Sequence, residues 1–290
     1  MPTLAPKLPW QHPFAGGYPG RGGQPLPTDA DAIDYLNRLA AVDGAAVEVG
    51  IAQAIDAFVR GCKADSAGYA GDPTRSNWDA IQASCIMCGA RTLSGALVPL
   101  KGTAPTPYNF ASGDYSRSGA TPGLKGNGST KYLDTNRAGN ADGQDDYHLS
   151  AYQTAAAGGV AALIGSTVTS PESRTSLVTA GADYYPRINN STGALANYPG
   201  GNTVGLFAAS RALAASYVAR SGTSENFPLA VASTAHQAQS VYVFSQNVNG
   251  SPADFSGSRL AFYSIGSSLS LSALDARVST LVSQIAAAIP

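Results

Sequence analysis

From about residue 131 onward, apolar and polar positions alternate in short runs, whereas much of the first hundred residues repeats its apolar positions every three or four. The alternating runs fall at 131–133, 148–153, 160–164, 176–179, 184–188, 204–209, 216–220, 240–245 and 259–265, with Gly, Asn and Ser between them. Successive side chains of a strand point to opposite faces, so each run predicts a strand. Their regular spacing predicts a sandwich or barrel rather than βαβ units.

Helical spacing governs residues 28–89. Thr28 or Asp29 can cap a first helix whose inner face is Ile33, Leu36 and Leu39 or Ala40, with Gly44 as its stop. Val47, Ile51, Ile55, Phe58 and Val59 mark a second helix that ends near Gly61. A third is expected from a Ser76 or Asn77 cap to Gly89, with Trp78, Ile81, Cys85 and Ile86 inward. Near the other end, Leu271, Leu274, Val278, Leu281, Val282 and Ile285 predict a closing helix that packs on the strands. The chain thus divides into an extended arm over 1–27, a small helical unit over 28–100 and a β domain with a C-terminal helix over 101–290.

The arm holds Pro2, Pro6, Pro9, Pro13, Pro19, Pro25 and Pro27 with Gly pairs between them, which excludes an interior strand or helix. At polyproline rise, roughly 3.1 Å per residue, it reaches on the order of 80 Å. Leu4, Leu8, Trp10, Phe14 and Tyr18 are expected to dock it on a neighbouring subunit. Folding back on its own domain is the alternative.

Composition narrows the class. The 290 residues carry a net charge of −1 with only 13% charged side chains, so no basic stripe is available for a nucleic acid. No run reaches the ~18 apolar residues a bilayer span needs, so no membrane insertion is expected. Met1 to Trp10 lacks a charged region followed by an apolar one, so synthesis in a cytosol is expected. The counts of 32 Gly, 18 Pro and 14 Tyr suit short strands and many tight turns. Cys62, Cys85 and Cys88 cannot all pair within one chain, so reduced, buried thiols are expected. Cys85-Ile-Met-Cys88 has the spacing of a metal or redox motif, but it lacks further ligands and a βαβ setting; core packing is the simpler reading.

Several stretches carry a resemblance. The run Leu124-Lys-Gly-Asn-Gly-Ser-Thr-Lys-Tyr-Leu-Asp-Thr, then His148-Leu-Ser-Ala-Tyr, then Arg259-Leu-Ala-Phe-Tyr-Ser-Ile-Gly followed by Leu271-Ser-Ala-Leu-Asp-Ala-Arg-Val resembles the laminin-G-like jelly roll of the concanavalin A class. Trp78-Asp-Ala-Ile-Gln-Ala-Ser-Cys with Ala90-Arg-Thr-Leu-Ser-Gly-Ala-Leu-Val-Pro-Leu is similar to a segment preceding such domains in structural proteins of tailed bacteriophages. Together the similarity covers about residues 30–290. It implies a mainly β protein, a concanavalin A-type jelly-roll β-sandwich after a small helical unit and a Pro/Gly-rich arm.

Catalytic sets are hard to assemble from these residues. Glycosidases of the concanavalin A fold use paired acidic residues, yet Glu48, Glu172 and Glu225 are far apart in sequence, and the adjacent Asp145 and Asp146 would face opposite sides of a strand. There is no Gly-x-Ser-x-Gly elbow and no phosphate-cradling loop, and His148 reads as a strand-edge residue rather than a base. No catalytic residue is expected.

Two binding readings stay open. Asp134, Asn136, Asn140, Asp142, Asp145 and Asp146 gather the hard oxygen ligands that Ca²⁺ prefers, and many laminin-G-like domains bind calcium in loops; their spacing does not match an EF-hand, and a solvated turn is the simpler reading. Tyr152, Tyr184, Tyr185, Tyr217 and Tyr242 could offer faces on which sugar rings stack, or could fill the sandwich.

The resemblance implies a non-enzymatic virion component made in the host cytoplasm. It would be attached to capsid or tail proteins by its arm and helical unit, display its jelly roll outward and form a homo-oligomer. The alternative is a tail-fibre or baseplate adhesin for host surface glycans, and a glycan-active enzyme is the remote one.

Overall fold

The computed structural model describes residues 26–69, 71–191, 198–222 and 227–289. The expected docking residues Leu4, Leu8, Trp10, Phe14 and Tyr18 lie outside these.

Helices α1 (Ala30–Asp43) and α2 (Val49–Ala64) form as their spacing implies. The Asp29 carboxylate accepts the Asp31 amide at 2.9 Å, and Gly44 ends α1 in the left-handed region at φ +67°. The one-turn α3 (Asn77–Ala80) follows, with α4 (Leu93–Ala96) further on and α5 (Leu271–Ala288) near the C-terminus. No helix among the described residues is long and apolar enough to cross a membrane.

The third expected helix is corrected. Ser76 and Asp79 do form a reciprocal capping box, but helix α3 lasts one turn and the chain then extends into a strand, Ile81–Ile86. Ile81 and Ile86 lie in the core beneath the helices, while Ala83 and Cys85 lie in the core between the sheets. With Ser84 buried as well as its apolar neighbours, this six-residue run is too short for its period to separate it from a helix. Its edge partner, Pro99–Lys101, also belongs to the sheet although it falls within the stretch expected to be helical.

In chain order the strands are β1 (Ile81–Ile86), β2 (Pro99–Lys101), β3 (Thr106–Tyr108), β4 (Tyr115–Ser116), β5 (Gly123–Lys125), β6 (Tyr132–Ala138), β7 (Tyr147–Ala155), β8 (Val160–Thr169), β9 (Glu172–Ala180), β10 (Asp183–Asn190), β11 (Tyr198–Pro199), β12 (Gly205–Leu213), β13 (Ser216–Arg220), β14 (Phe227–Leu229), β15 (Ser240–Val243), β16 (Gln246–Val248), β17 (Ser251–Ala253) and β18 (Arg259–Gly266). All nine alternating runs are strands. The first sheet runs β14-β13-β12-β7-β18-β1-β2, with β4 and β5 attached at β18; the second runs β11-β10-β9-β8-β15-β6-β3, with the β16–β17 hairpin attached at β8. Pairing is antiparallel except between β16 and β8.

The protein is therefore a mainly β sandwich with a small helical unit. Leu149, Phe207 and Tyr263 of the first sheet meet Leu177, Tyr184 and Val243 of the second in one core. The first sheet's other face, including Leu206 and Phe262, is covered by α1, α2 and α5, and Phe58 of α2 meets Phe262 edge-on at 5.7 Å. Each such ring contributes roughly 1.5–3 kcal/mol by leaving water. Among the described residues no helix covers the outer face of the second sheet, and the candidate site lies there.

Candidate functional site

Strand alternation and register define that outer face. In β6, Leu133 and Thr135 are buried while Tyr132 and Asp134 point away from them; in β10, Tyr184, Pro186 and Ile188 are buried while Tyr185 and Arg187 lie opposite. Tyr108 is paired with Tyr132 across β3 and β6. A second cross-strand row runs Thr106, Asp134, Tyr242, Gly165, Ser176, Arg187 through β3, β6, β15, β8, β9 and β10.

One end of the face is aromatic. Tyr108 lies flat on Tyr132 with ring centroids 4.4 Å apart and planes inclined by 3°, and Tyr132 leans on Tyr242 at 4.8 Å. Phe255 meets Tyr132 edge-on at 6.3 Å. Exposure falls inward along the row: Tyr108 is 41% exposed, Tyr132 half-buried and Tyr242 only 8% exposed. Burial, with Tyr242, Tyr108 and Asp134 nearby, pushes the Tyr132 phenol up to about 12, so that ring stays neutral over the physiological range. Two asparagines fix the flanking turns. Asn127 Oδ1 accepts the amides of Ser129, Thr130 and Lys131 at the entry to β6, and Asn109 Nδ2 donates to Thr130 O just after Tyr108.

The middle of the face is low and the far end is cationic. A Cβ on Gly165 would run into the Ser176 Cβ, so this position of β8 holds no side chain, and Ser176 beside it is small. Beyond them stand Tyr185 and Arg187. Arg174 pairs with Glu172 at 2.6 Å, whereas Arg187 makes no direct hydrogen bond or ion pair among the described residues and feels Glu172 only through space. Burial, and then the like charge of Arg174, lower the Arg187 pKa.

The five tyrosines singled out in the sequence divide among three environments. Tyr242 and Tyr185 share the outer face. Tyr184 and Tyr217 are corrected to core residues, because they are 0% and 4% exposed and their hydroxyls donate to Ala208 O and Pro186 O. Tyr152 is half-buried against the core beneath the helices. Tyr108 and Tyr132 escaped notice because Tyr108 sits in a Pro-rich stretch and β3 and β6 are separated by two intervening strands.

The acidic segment does not converge on one point. Arg137 holds Asp142 through two bonds of 3.0 and 2.6 Å, and Arg75 holds Asp146 through two of 2.6 and 2.8 Å, with the Ser268 amide adding a third contact at 2.7 Å. Burial works to raise the Asp146 carboxyl, but these hydrogen bonds outweigh it and hold it low. Asp134 accepts the Asn136 amide at 2.8 Å on the outer face, Asn140 is exposed at a turn, and Asp145 is half-buried. Among the described residues no group of three or more His, Cys, Asp or Glu side chains is placed to hold a metal ion. The arginines already supply the positive charge a cation would bring to Asp142 and Asp146.

Cys62, Cys85 and Cys88 are free and buried, and burial pushes each thiol up to about 12. His148 is buried as well. Its Nδ1 lies 2.6 Å from Ser267 O, which can only accept, so Nδ1 carries the proton and Nε2 accepts from Ser264 Oγ at 2.9 Å. Ser150 Oγ then donates to Ser264 Oγ at 2.7 Å. This chain of bonds is internal to the first sheet.

No protein-family model and no curated protein sequence matches the chain. Among solved structures it is similar to Trypanosoma rangeli sialidase. The complex with 2,3-difluoro-KDN matches at TM-score 0.39 and 14% identity, over 81% of this chain and 40% of that one. The covalent intermediate with 2,3-difluorosialic acid matches at 0.39 and 12%, over 80% and 38%, and the complex with the inhibitor DANA at 0.37 and 11%, over 80% and 37%. The chain spans about two fifths of the length of those sialidases. At this level of likeness no property is transferred from them.

Proposed function

We propose that the chain is a glycan-binding structural component of a virion, with a concanavalin A-type jelly-roll sandwich that presents the outer face of its second sheet to surface carbohydrate. The observation that carries the binding role is the row Tyr108, Tyr132, Tyr242 laid across three neighbouring strands, with the outermost ring 41% exposed. Sugar rings present apolar C–H faces that stack on such rings while their hydroxyls seek polar atoms alongside. Asp134 and Thr106 supply acceptors and donors in the adjacent row. The virion setting is supported by the resemblance of residues 78–85 and 90–100 to a segment that precedes such domains in structural proteins of tailed bacteriophages, with the arm over 1–27 as the attachment segment.

Retention of the protein on a panel of immobilised polysaccharides tests the binding role. Tyr108→Ala and Tyr132→Ala are each expected to lower retention by about two- to tenfold, given stacking contributions of roughly 0.5–1.5 kcal/mol per ring. A wild-type protein retained by none of them would remove the reading. Deletion of residues 1–27 tests the setting: the folded product should no longer join the particle.

A further inference from the structure

The two ends of the outer face are chemically different, and their difference selects among carbohydrates. At one end the rings of Tyr108, Tyr132 and Tyr242 sit beside the carboxylate of Asp134. At the other, Arg187 lies on the same face of β10 as Tyr185 and makes no direct hydrogen bond or ion pair among the described residues. Between them the strand pairing Tyr242, Gly165, Ser176, Arg187 crosses three strand spacings, about 14 Å at ~4.8 Å each. The two middle positions are a glycine that admits no Cβ and Ser176, both buried, so neither puts an exposed side chain between the two ends.

A half-buried guanidinium with no carboxylate bonded to it is costly, and Glu172 acts on Arg187 only at a distance. Burial lowers the pKa of Arg187, Arg174 beside it lowers it further, and Glu172 is engaged by Arg174. Partly desolvated arginine binds a planar carboxylate through two parallel N–H bonds, which are stronger than neutral hydrogen bonds. Resting on the glycan-binding reading above, we infer that the ligand is an acidic saccharide, bound with a carboxylate-bearing sugar at Arg187 and a neutral sugar over Tyr132 and Tyr108. Asp134 enforces that direction, since it repels a carboxylate placed at the tyrosine end. A chain of two or three sugar units has the length to bridge the two ends.

The test pairs each acidic polymer with its neutral form. Retention is measured by affinity electrophoresis at low salt on alginate, polygalacturonate and hyaluronate, and on the methyl ester of each, for the wild type, Arg187→Gln and Tyr132→Ala. At least one acid is expected to bind about tenfold more tightly than its ester. Arg187→Gln should erase that difference, while Tyr132→Ala should weaken retention on both acid and ester. Equal retention on acid and ester, or an Arg187→Gln protein that keeps the preference, overturns the acidic-ligand inference and leaves glycan binding standing. Retention on none of the six polymers overturns both.

Discussion

Tyr108 and Tyr132 face each other across β3 and β6 with ring centroids 4.4 Å apart and planes 3° from parallel. Cross-strand aromatic pairs contribute up to about 1 kcal/mol to a sheet, and β3 is an edge strand of three residues. The stack therefore holds the edge as well as offering a face. Tyr108→Ala is expected to lower the unfolding free energy by about 1 kcal/mol while reducing glycan retention. Tyr108→Phe should preserve both, since it keeps the ring. A Phe variant that binds no better than the Ala variant would assign the effect to the hydroxyl instead.

Arg211 is fully buried and donates to the carbonyls of Ile188, Leu213, Ala214, Ser216 and Val231, with its guanidinium 4.9 Å from the centre of the Tyr217 ring. It gathers the ends of β10 and β12 with the segment that follows β14. Arg211→Leu leaves those acceptors unpaired and is expected to cost roughly 3 kcal/mol or more, read as a lower urea midpoint. Arg211→Lys should recover only part, because an ammonium cannot reproduce the planar fork. A Leu variant as stable as the wild type would contradict the role.

His148 makes stability depend on mild acid. Burial lowers its pKa from the ordinary 6.5 to about 4, so between these values the unfolded chain holds a proton that the folded chain does not. Stability from this group is complete above about pH 7, declines as pH falls through 6.5 and levels off below about 4, a total of about 3 kcal/mol. His148→Gln is expected to be less stable at pH 7 and to lose this part of the slope between pH 7 and 4.5, measured by urea unfolding at each pH. An unchanged slope would mean that another group carries the acid sensitivity.

Asp142 and Asp146 are each bonded to an arginine at two points. Excess calcium or EDTA is therefore expected to move the thermal midpoint by less than about 1 °C. A ligand present at a hundred times its Kd would stabilise by about 2.7 kcal/mol, and a rise of several degrees with calcium would overturn this expectation.

Much of the sandwich was legible from alternation, since Tyr184, Pro186 and Ile188 turn inward while Tyr185 and Arg187 turn out, as a period of two requires. That same period already shows that Tyr184 and Tyr185 cannot share a face. Ile81–Ile86 was misread although Gln82 and Ser84 alternate with Ile81, Ala83 and Cys85, because the Ser76–Asp79 capping box and the spacing of Trp78, Ile81 and Cys85 fit a continuing helix equally well. The tyrosine row was half legible. Tyr242 stands out within an apolar run, but its neighbours Tyr132 and Tyr108 are set by the strand order β15-β6-β3, and no local pattern records which distant strands pair.

The most direct test of the central claim follows the tyrosine ring signals by NMR while the best-retained oligosaccharide is titrated in. Tyr108 and Tyr132 are expected to shift with the ligand, and Tyr184, Tyr217 and Tyr263 in the core to stay in place. Shifts that leave Tyr108 and Tyr132 untouched while the ligand binds would contradict the assignment of the outer face as the binding surface.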